Sequence, residues 1–399
     1  MRIAMYYPWI HLKGGIERTI LELTNRSRHD WTIFTSHYRP EDTFPGYAEL
    51  DVKQIGSVSV RRNVLSVASA CAQLLGQSGN WDGYDALMIN CDGVGNLLAM
   101  RARGVPLLCL CHTPLKISYD PHAKARWLRL FRPNLLTRGG VSLFAQVDRL
   151  AWKRYQRVFC VSREVQRRLL TAGVVSPERT QIVHPGVDLD RLVPTGAREP
   201  FFLIPGRIMW SKNIELGLRA FFKFKSRSED EAVRESRLVV AGMVDEKSPW
   251  YLARLRRLAA ERDDVEFVMS PRDDELFDLY DRCTAVLYPP PNEDWGIVPL
   301  EAMAFGKPVI AIERGGPAES IVHSRTGFLC PDNATAWADV MFKLVTEPHL
   351  YDSQSRAARM RAQQYSWQSF ADGIDGYLDK LSPVAADEQP MVIQDARRV

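Results

Sequence analysis

The stretch Ala285-Val286-Leu287-Tyr288-Pro289-Pro290-Pro291-Asn292-Glu293-Asp294-Trp295-Gly296-Ile297-Val298-Pro299-Leu300-Glu301, with its continuation to Ile312, decides the fold. Ala285–Tyr288 is an apolar run of strand length that three prolines stop. Pro299 suits the first turn of a helix, where its missing N–H costs nothing. Gly306 suits the position that closes that helix, and Pro308–Ile312 reads as the next strand. Strand, helix and strand in so short a stretch form a βαβ unit, which requires a parallel sheet.

The same alternation extends to both sides. In the second half Phe201–Pro205, Arg237–Ala241 and Val265–Met269 read as strands, and Ile214–Arg227, Tyr251–Arg262, Asp273–Arg282 and Pro299–Phe305 as helices. The first half has strand patterns at Arg2–Tyr7, Trp31–Ser36, Ala86–Asn90, Pro106–Cys111 and Val158–Ser162, with helical patterns such as Glu17–Arg26 and Ser142–Gln156. His184–Pro200 contains three prolines and two glycines and is the linker candidate. Gln364–Leu381 reads as a final amphipathic helix, and the stretch after Ser382 as a loose tail. The fold class is therefore α/β, with two doubly wound Rossmann-like domains facing across a cleft. Such domains bind ligands where strands end at their carboxyl ends.

Composition narrows the function. The chain has 399 residues, 46% hydrophobic and 25% charged, which excludes a disordered, collagen-like or membrane-bundle protein. No apolar run approaches the roughly 18 residues of a membrane span, and the first residues run straight into a strand with no secretory pattern. Seven cysteines are an odd number without zinc-like pairs, and Cys109 and Cys111 share one face of a strand. A reducing cytosol fits this usage. The net charge of +4 hides an asymmetry: residues 1–198 hold 27 Lys/Arg against 16 Asp/Glu, and residues 199–399 hold 25 against 32. Within 101–168 the ratio is 15 to 3. That excess suits anionic lipid, nucleic acid or acidic substrates, or is a solvated helical face. No nucleic-acid-binding motif accompanies it.

Four strand-end constellations carry chemistry. The N–H groups of Gly296, Ile297 and Val298 open a helix with its dipole behind them, a ready site for a phosphate or developing anion. Glu293 and Glu301 flank it, the lesser reading of Glu301 being a favourable acid in a helix's first turn. Gly206-Arg207 and Lys212-Asn213 follow strand Phe201–Pro205, and a guanidinium fork with a compact ammonium suits a diphosphate. Lys13-Gly14-Gly15-Ile16-Glu17 follows the first strand, where adjacent glycines let backbone amides approach a ligand. His112 ends strand Pro106–Cys111. The only near miss to a dinucleotide fingerprint, Gly93-Val94-Gly95, has Leu98 in place of the last glycine, and no Walker motif occurs. Asp188-Leu189-Asp190 reads as turn chemistry rather than a metal site.

Taken in order, these motifs resemble the retaining glycosyltransferases of family 4, from the first strand to about Leu381. The match rests on Glu293-x7-Glu301, Gly306-Lys307-Pro308, Gly315-Gly316-Pro317-Ala318-Glu319, Thr326-Gly327-Phe328-Leu329, Gly14-Gly15-Ile16-Glu17, Val161-Ser162, Pro185-Gly186-Val187-Asp188, Gly206-Arg207, Lys212-Asn213 and Tyr365-Ser366-Trp367. The resemblance implies a GT-B fold. It has an acceptor-binding domain over 1–190, a nucleotide-sugar-binding domain over 191–364, a helix 365–382 crossing back to the first domain, and a tail 383–399.

The resemblance also implies roles. Arg207 and Lys212 would bind the donor diphosphate, Glu301 the ribose, and Glu293 the hydroxyls of the transferred sugar with the amides of Gly296, Ile297 and Val298. Ser270 and Arg272 would lie beside the nucleobase, Gly15 would close over the phosphates, and His112 would stabilise the transition state. No metal or other cofactor is required. The segments Glu293–Pro299 and Cys111–Lys116 look like those of bacterial mannosyltransferases of surface polysaccharide, which favours GDP-mannose over a UDP-sugar. Trp295 stands where the family more usually has Phe; it would fill the same space and tighten the sugar pocket. The implied acceptor is a glycan or polyprenyl-linked glycan, met by a cytoplasmic enzyme resting through residues 101–168 on the anionic inner face of the membrane. The rival readings are a UDP-sugar transferase, a nucleotide-sugar epimerase and a non-catalytic relative.

Overall fold

The computed structural model describes residues 1–58, 64–77, 81–91, 93–227, 230–246 and 248–381. The chain forms two compact units: Met1–Phe159, Leu169–Gln181 and the segment from Ala371 make the first, and Cys160–Arg168 with Ile182–Phe370 make the second. The expected tail 383–399 lies outside the described residues.

The first sheet contains β1 (Arg2–Tyr6), β2 (Asp30–Thr35), β3 (Asp51–Gln54), β4 (Ala86–Cys91), β5 (Leu107–Cys111), β6 (Arg157–Cys160) and β7 (Thr180–Ile182), in the order β3-β2-β1-β4-β5-β6-β7. The second contains β8 (Phe201–Pro205), β9 (Arg237–Gly242), β10 (Val265–Met269), β11 (Ala285–Tyr288), β12 (Val309–Ile312) and β13 (Gly327–Cys330), in the order β10-β9-β8-β11-β12-β13. Every pairing in the second sheet is parallel. β8 and β11 are buried throughout, as expected of parallel strands covered on both faces. In each sheet the strand order reverses beside the unit's first strand, between β1 and β4 and between β8 and β11. Doubly wound sheets bind ligands at such switch points.

Three strands carry no sequence signal that separates them from loops. β3 is an edge strand with no buried residue, β7 has three residues, and β13 overlaps the Thr326–Leu329 motif. The helix after β11 runs from Ile297 to Ala304, two residues earlier than expected, because Gly296 takes φ +88° and turns the chain into it. Pro299 is thus its third residue. Glu301 sits in the second turn, which removes the first-turn-acid reading of that side chain.

The helix expected at Ser142 begins at Leu135, where Asn134 Oδ1 accepts from the Thr137 N–H at 2.9 Å. The final helix runs over Trp367–Leu378. In the first unit its Asp375 accepts from Ser27 Oγ at 2.6 Å and the Arg28 N–H at 2.9 Å. The linker candidate belongs to the second unit and is strapped to it. Asp281 accepts from the Thr195 N–H at 3.0 Å, Lys307 Nζ donates to Ala197 O at 2.7 Å, and Arg198 lies 3.8 Å from the centre of the Tyr351 ring. Asp188 makes the turn expected of it, with Oδ1 accepting from the Asp190 N–H at 3.2 Å.

Candidate active site

In the second unit the turn after β8 is held against the end of β9. The Gly206 N–H donates to Ala241 O at 2.9 Å and the Ile208 N–H to Met243 O at 2.8 Å. A Cβ on Gly242 would stand 2.0 Å from Gly206 O, so only glycine fits there. Arg207 is exposed on this turn. A short helical turn, Trp210–Lys212, follows, and Asn213 takes the left-handed conformation at φ +51° before the helix Ile214–Lys225. Asn213 Nδ2 donates to Pro289 O at 3.4 Å, tying this turn to the loop after β11.

That tie brings two expected site residues together. Lys212 Nζ lies 2.6 Å from Glu293 Oε2, and the same oxygen accepts from Tyr288 OH at 2.8 Å. Burial, and then the neighbouring Glu293 carboxylate, hold the Tyr288 hydroxyl well above its ordinary pKa, so it remains a donor. Glu301 Oε2 accepts from Tyr280 OH at 3.0 Å, and burial likewise keeps that phenol protonated. The N–H groups of Ile297 and Val298 open the helix beside Glu293 and have no carbonyl a turn earlier to bond. Gly315 and Gly316 let the β12 turn pass under the same loop. A Cβ on Gly315 would stand 2.5 Å from Glu293 O, and one on Gly316 2.3 Å from Trp295 Cα. The Gly316 N–H donates to Glu293 O at 3.0 Å.

The other expected residues of the second unit make contacts of their own. Ser270 follows β10 in the left-handed conformation at φ +51°. Arg272 caps the helix Asp273–Arg282 and pairs in solvent with Asp274 at 3.0 Å and Glu275 at 2.8 Å. Trp295 is 4% exposed: its Nε1 donates to Pro185 O at 2.9 Å and its ring stacks on His184 at 4.5 Å. The larger aromatic ring is thus accommodated under the loop, where it packs against the strapped segment.

The first unit carries the remaining two. Gly15 is the first residue of the helix Gly15–Arg26, and open space lies where its Cβ would be. His112 is buried, and desolvation pushes its imidazole down to about 3, so it is neutral near pH 7. Its Nε2 lies 2.8 Å from Asn90 Oδ1, while Asn90 Nδ2 donates to Tyr6 O at 3.4 Å. This assigns the proton to Nε2 and leaves Nδ1 as the acceptor. The ring is therefore neutral near pH 7 and presents Nδ1 as an acceptor.

Sequence reasoning missed the two phenols, although Tyr288 is the last residue of its strand and could have been read as a strand-end group. It also missed what Glu319 does: its carboxylate accepts from the N–H groups of Arg163 and Glu164 at 2.8 Å each, capping the helix Arg163–Thr171.

"Glycosyltransferase Family 4" matches residues 13–191 and "Glycosyl transferases group 1" matches residues 193–361. The chain is 36% identical to the alpha-1,3/1,6-mannosyltransferase ALG2 of Mus musculus, over 92% of this chain and 94% of that protein. It is 24% identical to the ALG2 of Rhizomucor pusillus over 97% and 93% of the two chains. Among solved structures, a sucrose-phosphate synthase from Thermosynechococcus elongatus superposes with a TM-score of 0.75 at 19% identity, covering 96% of this chain and 99% of that one. That likeness establishes the GT-B fold. The chain belongs to the family 4 glycosyltransferases.

Proposed function

We propose that this glycosyltransferase moves mannose from GDP-mannose to a lipid-linked glycan with retention of configuration and without a metal. The observation that carries the reading is the Lys212–Glu293 pair at the ends of the neighbouring strands β8 and β11. Arg207 and Lys212 bind the diphosphate, and the amides of Gly296, Ile297 and Val298 supply the dipolar half of the site. Glu293, steadied by Tyr288, accepts from hydroxyls of the sugar. Glu301 takes the ribose hydroxyls, and Ser270 and Arg272 border the base. The family resemblance assigns Gly15 and His112 of the first unit to the phosphates and the sugar, and His112 offers Nδ1 as an acceptor. The choice of mannose rests on the likeness to the mannosyltransferases named above.

The reaction breaks the bond from the anomeric carbon to the β-phosphate oxygen and forms one to an acceptor oxygen on the same face. Cations and helix dipole stabilise the charge that develops on the departing diphosphate. That diphosphate takes the acceptor proton, so no separate base is consumed.

The acceptor's lipid fits the surface of the first unit. On the helix Leu135–Trp152, Leu135 and Leu136 are 82% and 86% exposed, and Leu143 and Leu150 are also exposed, in the segment with 15 basic and 3 acidic residues. No described helix is long and apolar enough to cross a membrane. Exposed leucines among cations suit an anionic bilayer surface.

The test is product analysis with labelled GDP-mannose and a polyprenyl-diphosphate-linked glycan. The proposal expects label in the lipid phase and free GDP. An isomerised sugar nucleotide without GDP release would replace it with an epimerase, and transfer from UDP-sugars alone would replace the donor.

A further inference from the structure

Arg168 is a charged side chain that the mechanism above leaves unused, yet it is only 2% exposed. It lies in the helix Arg163–Thr171, within the short segment Cys160–Arg168 that belongs to the second unit. Its Nε donates to Glu164 Oε1 at 2.9 Å. Its two terminal nitrogens reach different residues: Nη1 donates to Asp294 Oδ1 and Nη2 to Asn292 Oδ1. Glu293 is the residue between those two. The same segment adds a further bond, from Ser162 Oγ to Asp294 O at 2.5 Å.

A buried guanidinium is a poor way to gain stability, because desolvation offsets most of the attraction and apolar side chains of similar volume serve as well. A planar fork does something an apolar residue or an ammonium cannot: it fixes two acceptors at one spacing. Here the two acceptors bracket the residue read as the sugar-binding carboxylate, so the fork sets the backbone from which Glu293 projects. We propose that Arg168 is a positioning residue for the donor sugar, holding Asn292 and Asp294 so that Glu293 meets the transferred hexose. This rests on the reading of Glu293 given under the proposed function.

The test compares Arg168→Lys, Asn292→Ala and Glu293→Gln for donor KM, kcat, and affinity for GDP-mannose and for GDP. Asn292→Ala removes one leg of the fork without stranding a buried charge, and so decides the matter if Arg168→Lys does not fold. Misplacing a reacting group by about an ångström costs up to about 100-fold. We expect Arg168→Lys and Asn292→Ala each to weaken GDP-mannose binding or turnover by about 10-fold or more, with GDP affinity unchanged. In a Glu293→Gln background neither should cause a further loss, since both act through that carboxylate. Full, additive losses in that background, or near-wild-type kinetics in both single variants while Glu293→Gln is impaired, would overturn the role of Arg168. An unimpaired Glu293→Gln would instead overturn the reading of Glu293 itself.

Discussion

Lys212 and Glu293 meet at 2.6 Å, nitrogen to carboxylate oxygen, joining the turn after β8 to the loop after β11. Under the proposed function a diphosphate would compete with Glu293 for that ammonium, and the carboxylate would then be released to accept from sugar hydroxyls. The pair would thereby couple recognition of the two halves of the donor.

Removing either cation exposes that dependence. Lys212→Ala and Arg207→Ala should each lower turnover by about 100-fold or more, the scale of losing one donor to a developing oxyanion. Steady-state rates at saturating acceptor check this, and rates near wild type would remove the residue from the site.

Tyr288→Phe keeps the buried ring and deletes one hydrogen bond to Glu293. Hydrogen bonds to charged groups are worth about 1.5–3 kcal/mol, so kcat/KM should fall by about 10-fold or more. The melting temperature should stay within a few degrees of wild type. A large fall in stability with intact catalysis would mean that the hydroxyl serves the core instead.

Gly316→Ala tests the support beneath the loop. Its Cβ would stand 2.3 Å from Trp295 Cα and 2.4 Å from Trp295 O, contacts that only a backbone shift relieves. Overpacking of this kind costs about 1–3 kcal/mol. Denaturant unfolding should show that loss, together with weaker donor binding because the shifted loop carries Glu293.

Acidity should separate two buried groups of the first unit. His112 has a folded pKa of about 3, below the ~6.5 of an unfolded histidine. Its contribution to stability is present above ~6.5 and is lost as pH falls towards 3. Asp148 accepts from Asn96 Nδ2, Tyr119 OH and Trp152 Nε1 at 2.7, 2.6 and 2.9 Å, yet burial pushes its carboxyl up to about 6. That folded value lies above the ~3.9 of an unfolded aspartate, so its contribution is present at low pH and lost as pH rises through 6. Relative to wild type, His112→Asn should gain stability between pH 6.5 and 4 and Asp148→Asn should lose it. Unfolding curves across that range decide, and parallel curves for all three proteins would contradict both assignments.

Membrane docking should depend on exposed leucines as well as charge. Leu136→Glu combined with Leu143→Glu should abolish sedimentation with anionic vesicles while leaving donor binding unchanged. Undiminished binding would place the lipid contact elsewhere.

Much of this was legible in the residues because parallel strands buried on both faces leave short, uninterrupted apolar runs. Phe201–Pro205 and Ala285–Tyr288 coincide with the fully buried β8 and β11. β3 was not legible: an edge strand exposed to water has no pattern of burial to print on its sequence. The start of the helix at Leu135 was obscured by Gly139 and Gly140, which ordinarily weaken a helix and here sit in its exposed middle. At the site, Arg207, Lys212, Glu293 and Glu301 were named because they follow strand ends. Arg168 was not, since its value lies in reaching Asn292 and Asp294, more than a hundred positions away in the chain. Proximity of that kind is created by the fold and leaves no local spacing to read.

Titration calorimetry with GDP-mannose on the wild-type chain, Arg207→Ala and Lys212→Ala tests the central claim most directly. The account predicts measurable binding to wild type and a loss of about 10-fold or more in each variant, the scale of removing one charge-assisted bond to phosphate. Equal affinity in all three proteins would show that the diphosphate is held elsewhere and would contradict the account.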